Sequence, residues 1–289
     1  MWKGEMDMSP SLQSPKGQLL IQEIENTVVP YGMVAVWPLG QASFILKGGT
    51  TVIYIDPYVT HNPDRIYPAP IDPEHITNAD YCLITHEHMD HLDLDAIAAM
   101  VRTGRDTFFM APACCWEDMK KQGVPRERFL IADTEKEFGD ETIIQPIPAA
   151  HEELETDEQG YHRYVGYLIK LNGVTVYHAG DTVVYEGLAD RLRKESIDLG
   201  LLPINGRDTF RNSRGIVGNM DYREAAELAK TAGIGMTIPM HYDIFAGNAE
   251  RPGYFVDYVY DHFPEMRIHV IARGERFIHV TEAALQALK

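Results

Sequence analysis

Apolar residues recur along the chain in short blocks punctuated by glycine, proline and Asn-Gly. Residues 33–39, 43–47 and 51–55 are β-rich runs, and Gly40 and the pair Gly48-Gly49 separate them, the signature of a meander. Further strand-like runs fall at 80–84, 107–110, 129–131, 141–147, 198–204, 235–239, 267–271 and 276–280. Residues 163–171 and 174–177 form a hairpin pattern about Asn172-Gly173. Helical spacing appears at 18–26, where Leu19, Leu20 and Ile24 lie near one face, and at 92–102, 112–121, 186–194, 221–231 and 253–262. Residues 59–73 carry Pro63, Pro68, Pro70 and Pro73 and read as a loop; residues 1–16 are polar, contain Pro10 and Pro15, and read as loosely held. Strands and helices alternate in two similar rounds without a detectable sequence repeat, which predicts an α/β layered fold.

Composition narrows the function classes. The chain has 289 residues, of which 45% are hydrophobic, enough for a large core, and a formal net charge of −17. That charge repels phosphate backbones, so nucleic acid is not an expected partner. No apolar run approaches the ~20 residues that span a bilayer, so no membrane is expected either. Cys82, Cys114 and Cys115 make neither a disulfide framework nor a zinc ribbon. With no basic flank and apolar core near the start, the expectation is a cytoplasmic protein.

The chemistry concentrates in Thr85-His86-Glu87-His88-Met89-Asp90-His91, between the apolar run 81–84 and the amphipathic run 92–101. His86 and His88, two apart, project to one side of an extended chain; Asp90 continues the alternation and His91 points differently. One pair can chelate a first ion and the Asp–His pair can reach a second. The pattern of a ligand after a strand recurs at His151, at Asp181 within His178-Ala179-Gly180-Asp181, and at His241. Ala179 and Gly180 are small enough for backbone to approach a crowded centre. Asp56, ending its strand, is either a turn former or a carboxylate that supports a ligand. His178 is close enough to Asp181 to partner it. Arg207, Arg211 and Arg214 stand in the segment 205–219 of an otherwise acidic protein; they either clamp an anionic substrate or make surface salt bridges.

These residues resemble a known family. Thr-His-Glu-His-Met-Asp-His is similar to the His-x-His-x-Asp-His signature of the metallo-β-lactamase superfamily, and His151, Gly180-Asp181 and His241 resemble its later ligand motifs, in order. The resemblance spans about residues 33–280. It implies a four-layer αββα sandwich, two mixed sheets flanked by helices, as one domain over 33–289 with residues 1–32 an amino-terminal extension packed on it. It also implies two divalent ions, zinc or manganese with iron compatible. His86, His88 and His151 would hold one, Asp90, His91 and His241 the other, and Asp181 would bridge; a hydroxide shared by the ions would be the nucleophile, with Asp90 orienting it or moving its proton. Glu23-Ile24-Glu25 followed by Ala35-Val36-Trp37-Pro38-Leu39-Gly40, Tyr177-His178-Ala179-Gly180-Asp181 and Ile238-Pro239-Met240-His241-Tyr242-Asp243 resemble more narrowly the L-ascorbate-6-phosphate lactonase group. His151 departs from it, standing where that group is expected to carry a carboxylate. The expectation is a hydrolase opening a phosphorylated sugar-acid lactone, a small anionic substrate, in a homo-oligomer. The alternatives are a phosphodiesterase on a cyclic or small phosphodiester, an RNA-processing nuclease, and a metal-binding protein without catalysis.

Overall fold

Two seven-stranded sheets organise the computed structural model, which describes residues 17–103, 105–139 and 142–287. The expectation for residues 1–16 lies outside the described residues. The first round of the chain runs α1 (Gln18–Asn26), β1 (Met33–Gly40), β2 (Ser43–Gly48), β3 (Thr51–Ile55), β4 (Tyr81–Leu83), α2 (Leu94–Thr103), β5 (Phe108–Ala111), α3 (Trp116–Lys121) and β6 (Phe129–Ile131). The second runs β7 (Lys136–Phe138), β8 (Thr142–Pro148), β9 (Val165–Leu171), β10 (Val174–His178), α4 (Leu188–Arg193), β11 (Leu199–Pro203), α5 (Thr209–Asn212), α6 (Tyr222–Ala232), β12 (Met236–Met240), α7 (Pro252–His262) and β13 (Arg267–Ile268). β14 (Phe277–Val280) and α8 (Glu282–Ala287) end the described chain.

Each round builds one sheet by the same plan. In the first, β1, β2 and β3 pair antiparallel and β4, β5 and β6 add in parallel; in the second, β8, β9 and β10 are antiparallel and β11, β12 and β13 are parallel. β14 then crosses back to pair with β1, and β7 edges the second sheet beside β8. The two rounds expected from the alternation are thus two sheets with matching parallel halves. Both faces of the sheets are covered, so successive residues of a strand are buried in different cores. On β1, Val34 and Val36 enter the cluster shared by the two sheets, while Ala35, Trp37 and Leu39 face the outer cluster with Ile21 and Ile24 of α1 and Ile97 and Met100 of α2. On the other side α6 buries Ala225, Ala226, Leu228 and Ala229 against the second sheet.

A polar group sets the start of α2. The helix expected from residue 92 begins at Leu94 because the Asp93 carboxylate caps it, accepting from Ala96 N at 3.0 Å, and also ties down the amides of Val59 and Thr60. The helix expected at 112–121 opens with a 3₁₀ turn, Ala113–Cys115, before α3. The strand expected at 267–271 pairs only over Arg267–Ile268. The apolar pattern does not show β7, α5 or α8. All three cysteines are free, and among the described residues no helix is long and apolar enough to cross a membrane.

The clearest local stop and start signals surround α6. Asp221 accepts from Glu224 N at 2.9 Å while Glu224 accepts from Asp221 N at 3.0 Å, a full capping box, and Gly233 closes the helix at φ 72°. Asp221→Ala is expected to cost about 1 kcal/mol and lower Tm by about 2–3 °C in thermal unfolding. An unchanged Tm would show that the cap contributes nothing.

Candidate metal centre

The site forms where the carboxyl ends of strands from both sheets meet, the edge at which α/β layers place ligands. Its first anchor is the fully buried Asp56, just past β3, held at φ 45°. Asp56 Oδ1 accepts from Thr85 N at 2.8 Å; Oδ2 accepts from Thr85 Oγ1 at 2.6 Å and from His91 Nδ1 at 2.7 Å. With its hydroxyl proton given to Asp56, Thr85 Oγ1 accepts from His86 Nδ1 at 3.0 Å. Both Nδ1 atoms are thereby committed to hydrogen bonds, which turns the Nε2 of each ring toward the donor cluster. Of the two readings open for Asp56, the geometry favours the supporting carboxylate. Thr85, which sequence reasoning passed over, is the residue that links it to two histidines; its place directly before the motif was the available signal.

The expected alternation holds for His86 and His88, whose Nε2 and Nδ1 face each other at 2.9 Å, while Glu87 points away to Arg163 Nε at 2.6 Å. It ends there. The amides of His91 and Leu92 both donate to His88 O, so the chain turns and carries Asp90 and His91 by a bend rather than by strand alternation. His86, His88 and His151 form one triad of donor atoms within 4.8 Å, and Asp90, His91 and His241 another. Asp181 stands between them: Oδ1 is 3.4 Å from His91 Nε2, and Oδ2 is 3.2 Å from His241 Nε2 and 4.0 Å from His151 Nε2. Gly180 lets Asp181 sit there. Its φ is 62°, and a Cβ would lie 2.6 Å from Val165 O.

The electrostatics suit a cation. Burial, with the neighbouring His91, pushes His86 well below the usual imidazole range, and burial holds His151 down to about 4, so both rings are neutral donors near pH 7. Burial works to lower His91 and His241 as well, but the carboxylates around them, Asp181 foremost, outweigh it and raise both. Burial favours the neutral form of Asp181, yet His241 and His91 hold its carboxyl well below the usual range. His91 Nε2 and Asp181 Oδ1 are buried without a hydrogen-bond partner. Unpaired buried groups cost ~1–3 kcal/mol each, and a divalent cation among these donors removes that cost. An all N/O donor set suits zinc, manganese or iron.

Other expected residues lie elsewhere. His178 makes its bonds to Ala42 O at 2.8 Å and to the Gly180 amide at 3.2 Å, so it braces the Asp181 loop through backbone instead of meeting the carboxylate. Arg207 forks onto Glu224, at 2.7 Å from Nη2 to Oε1, and donates to Asn219 O. Arg211 donates to Asn205 O, Gly206 O and Ala249 O. Both guanidiniums are committed to holding the 205–219 segment. Arg214 stacks 3.8 Å over Phe210. None of the three lines the 440 Å³ cavity above the ligands, although their segment does, through Gly215, Ile216 and Val217.

Gln41 was not foreseen. It is buried at φ 55° in the β1–β2 turn; its carbonyl accepts from His241 N at 2.9 Å, and its Nε2 lies 3.5 Å from both Asp90 Oδ2 and His241 Nε2. Nothing in the local sequence marks it, because its partners Asp90 and His241 are 49 and 200 residues away. Together with Gln41, Tyr67, Asp243 and Arg273 line a second cavity of 260 Å³, which none of the candidate ligands lines.

Comparisons with known proteins agree with this geometry. A family model described as "Beta-lactamase superfamily domain" matches residues 51–242. A UPF0173 metal-dependent hydrolase of Thermococcus kodakarensis is 34% identical over 229 residues, covering 77% of this chain and 91% of the relative. A protein of Escherichia fergusonii named "Probable L-ascorbate-6-phosphate lactonase UlaG" is 28% identical over 277 residues, covering 82% of this chain and 77% of its own. Among solved structures, a metallo hydrolase of the hyperthermophilic archaeon Ignicoccus hospitalis superposes with a TM-score of 0.69 at 24% identity, over 86% of this chain and 100% of that one.

Two substitutions test the supports. Asp56→Asn is expected to weaken metal binding about 10–100-fold in chelator competition, because it loosens His91 and Thr85 together. Unchanged affinity would reduce Asp56 to a turn former. Gln41→Leu is expected to weaken the second equivalent of metal and spare the first; retention of both at wild-type affinity would remove Gln41 from the site.

Proposed function

The chain belongs to the metallo-β-lactamase superfamily and is a metal-dependent hydrolase, and on that premise we propose that it hydrolyses a small carboxylic ester, in the first instance a lactone. The observation that carries this reading is the pair of donor triads meeting at Asp181 on the floor of a cavity sized for a small molecule. His86, His88 and His151 would hold one divalent ion and Asp90, His91 and His241 a second, with Asp181 reaching both. Such ions, when bound, polarise an acyl oxygen and lower the pKa of water.

The chain's own groups divide the remaining work. Asp90 is the more open of the two ligand carboxylates, with 18% of its side chain exposed against 5% for Asp181. It is therefore the group placed to take a proton from attacking water and return it to the leaving alkoxide. Asn248 lines the cavity, and its Oδ1 accepts from Asn205 Nδ2 at 2.9 Å, which leaves its own amide hydrogens for a substrate oxygen. The name of the E. fergusonii relative supports the lactone class. The narrower form, a phosphorylated sugar-acid lactone, keeps Arg214, the chain neighbour of the cavity-lining Gly215, as its remaining candidate anchor.

Removing metal with a chelator is expected to abolish turnover and readdition to restore it. Asp90→Asn is expected to lower kcat about 10²–10⁴-fold, and His241→Ala to lose both activity and bound metal. A screen of neutral lactones, phosphorylated lactones and cyclic phosphodiesters reads the class; full activity in both variants, or turnover of phosphodiesters alone, would overturn the proposal.

A further inference from the structure

The cavity has two unlike kinds of lining: the ligand cluster, and apolar side chains of Met89, Ile216, Val217 and Phe245, with Gly215, Gly247 and Asn248 completing it. Among the described residues, no lysine or arginine lines it. The apolar lining is built on braced segments. Phe245 packs on Tyr58 with ring centroids 6.0 Å apart, and the adjacent Ile244 carbonyl accepts from Ile66 N at 2.8 Å, so the proline-rich loop fixes it. Ile216 N donates to Arg211 O at 3.0 Å, in the segment that Arg207 and Arg211 hold, and its Cδ1 lies 4.0 Å from where a Cβ on Gly247 would stand. Met89, between two candidate ligands, is 61% exposed. An exposed, unbranched thioether beside the reacting atoms is adaptable apolar surface that water covers at a cost until a ligand displaces it.

We infer that the substrate carries an aliphatic substituent beside its scissile carbonyl: an alkyl-substituted lactone or a short-chain carboxylic ester. The inference rests on the ester-hydrolase reading above and specifies its substrate. The reaction is plain hydrolysis. Water's oxygen bonds to the acyl carbon, the acyl C–O bond breaks, and water's proton ends on the released hydroxyl. The alkyl group lies on Met89, Ile216, Val217 and Phe245 while the carbonyl faces the ligand cluster. A phosphate in the same position would meet apolar carbon and no cationic side chain.

The test uses metal-loaded protein and a series of γ-lactones from unsubstituted to pentyl-substituted, with a phosphorylated sugar-acid lactone alongside. kcat/KM is expected to rise about fourfold per methylene, the value for burying a CH₂, until the chain outgrows the cavity. Ile216→Asn, and Phe245→Ser from the other loop, are each expected to flatten the slope. In a second arm, calorimetry with straight-chain carboxylates from butanoate to octanoate reads binding without turnover, with tighter binding expected as the chain lengthens. Equal kcat/KM across the series, or faster turnover of the phosphorylated lactone than of any alkyl lactone, overturns the inference and leaves lactone hydrolysis standing. No lactone turnover, with carboxylate affinity still rising with length, removes the lactone reading and upholds the apolar subsite. Absence of both overturns both.

Discussion

The Asp56 carboxylate, buried between Thr85 and His91, is the interaction on which the centre depends. Its oxygens receive an amide, a hydroxyl and an imidazole, and through Thr85 they also orient His86. A buried carboxylate without such donors would be costly to keep ionised. A buried imidazole whose Nδ1 was not committed would not be held with its Nε2 toward the donor cluster. Each group is tolerable because of the others. The interaction also ties the end of β3 to the loop after β4, so the parallel pairing of those strands and the presentation of the first ligands are one event.

The second half of the chain completes what the first begins. His151 follows β8, Asp181 follows β10 and His241 follows β12, all from the second sheet, and Asp181 lies within 3.4 Å of His91 from the first. The packing of one sheet on the other therefore decides whether either donor triad forms, since each takes members from both. Gly180 and Gln41 sit at that junction from opposite sides. One admits backbone where a side chain would collide; the other bonds His241 across about two hundred residues of sequence.

The arginines and the apolar lining are complementary facts. Three guanidiniums in an acidic protein suggest an anion site, and two of them instead satisfy the Glu224 carboxylate and the carbonyls of Asn205, Gly206, Asn219 and Ala249. Once that segment is held, it presents Ile216 and Val217 to the cavity. The charge shapes the loop, and the shaped loop offers hydrocarbon.

Much of this was legible in the residues. Apolar pattern located nearly every long strand and helix, because strands buried on both faces leave short continuous apolar runs and helices buried on one face leave a 3.6-residue period. The spacing of His86, His88, Asp90 and His91, and a ligand after each of three later strands, marked the donors because strand ends are where a layered fold exposes side chains together. What sequence left open was every question of partner. Whether Asp56 turned the chain or supported a ligand, whether Arg207 met substrate or Glu224, and that Gln41 mattered at all, depended on groups remote in sequence. Local pattern records which side of an element is buried; only the packing of the two sheets brings those buried atoms within hydrogen-bond distance and decides what each one touches.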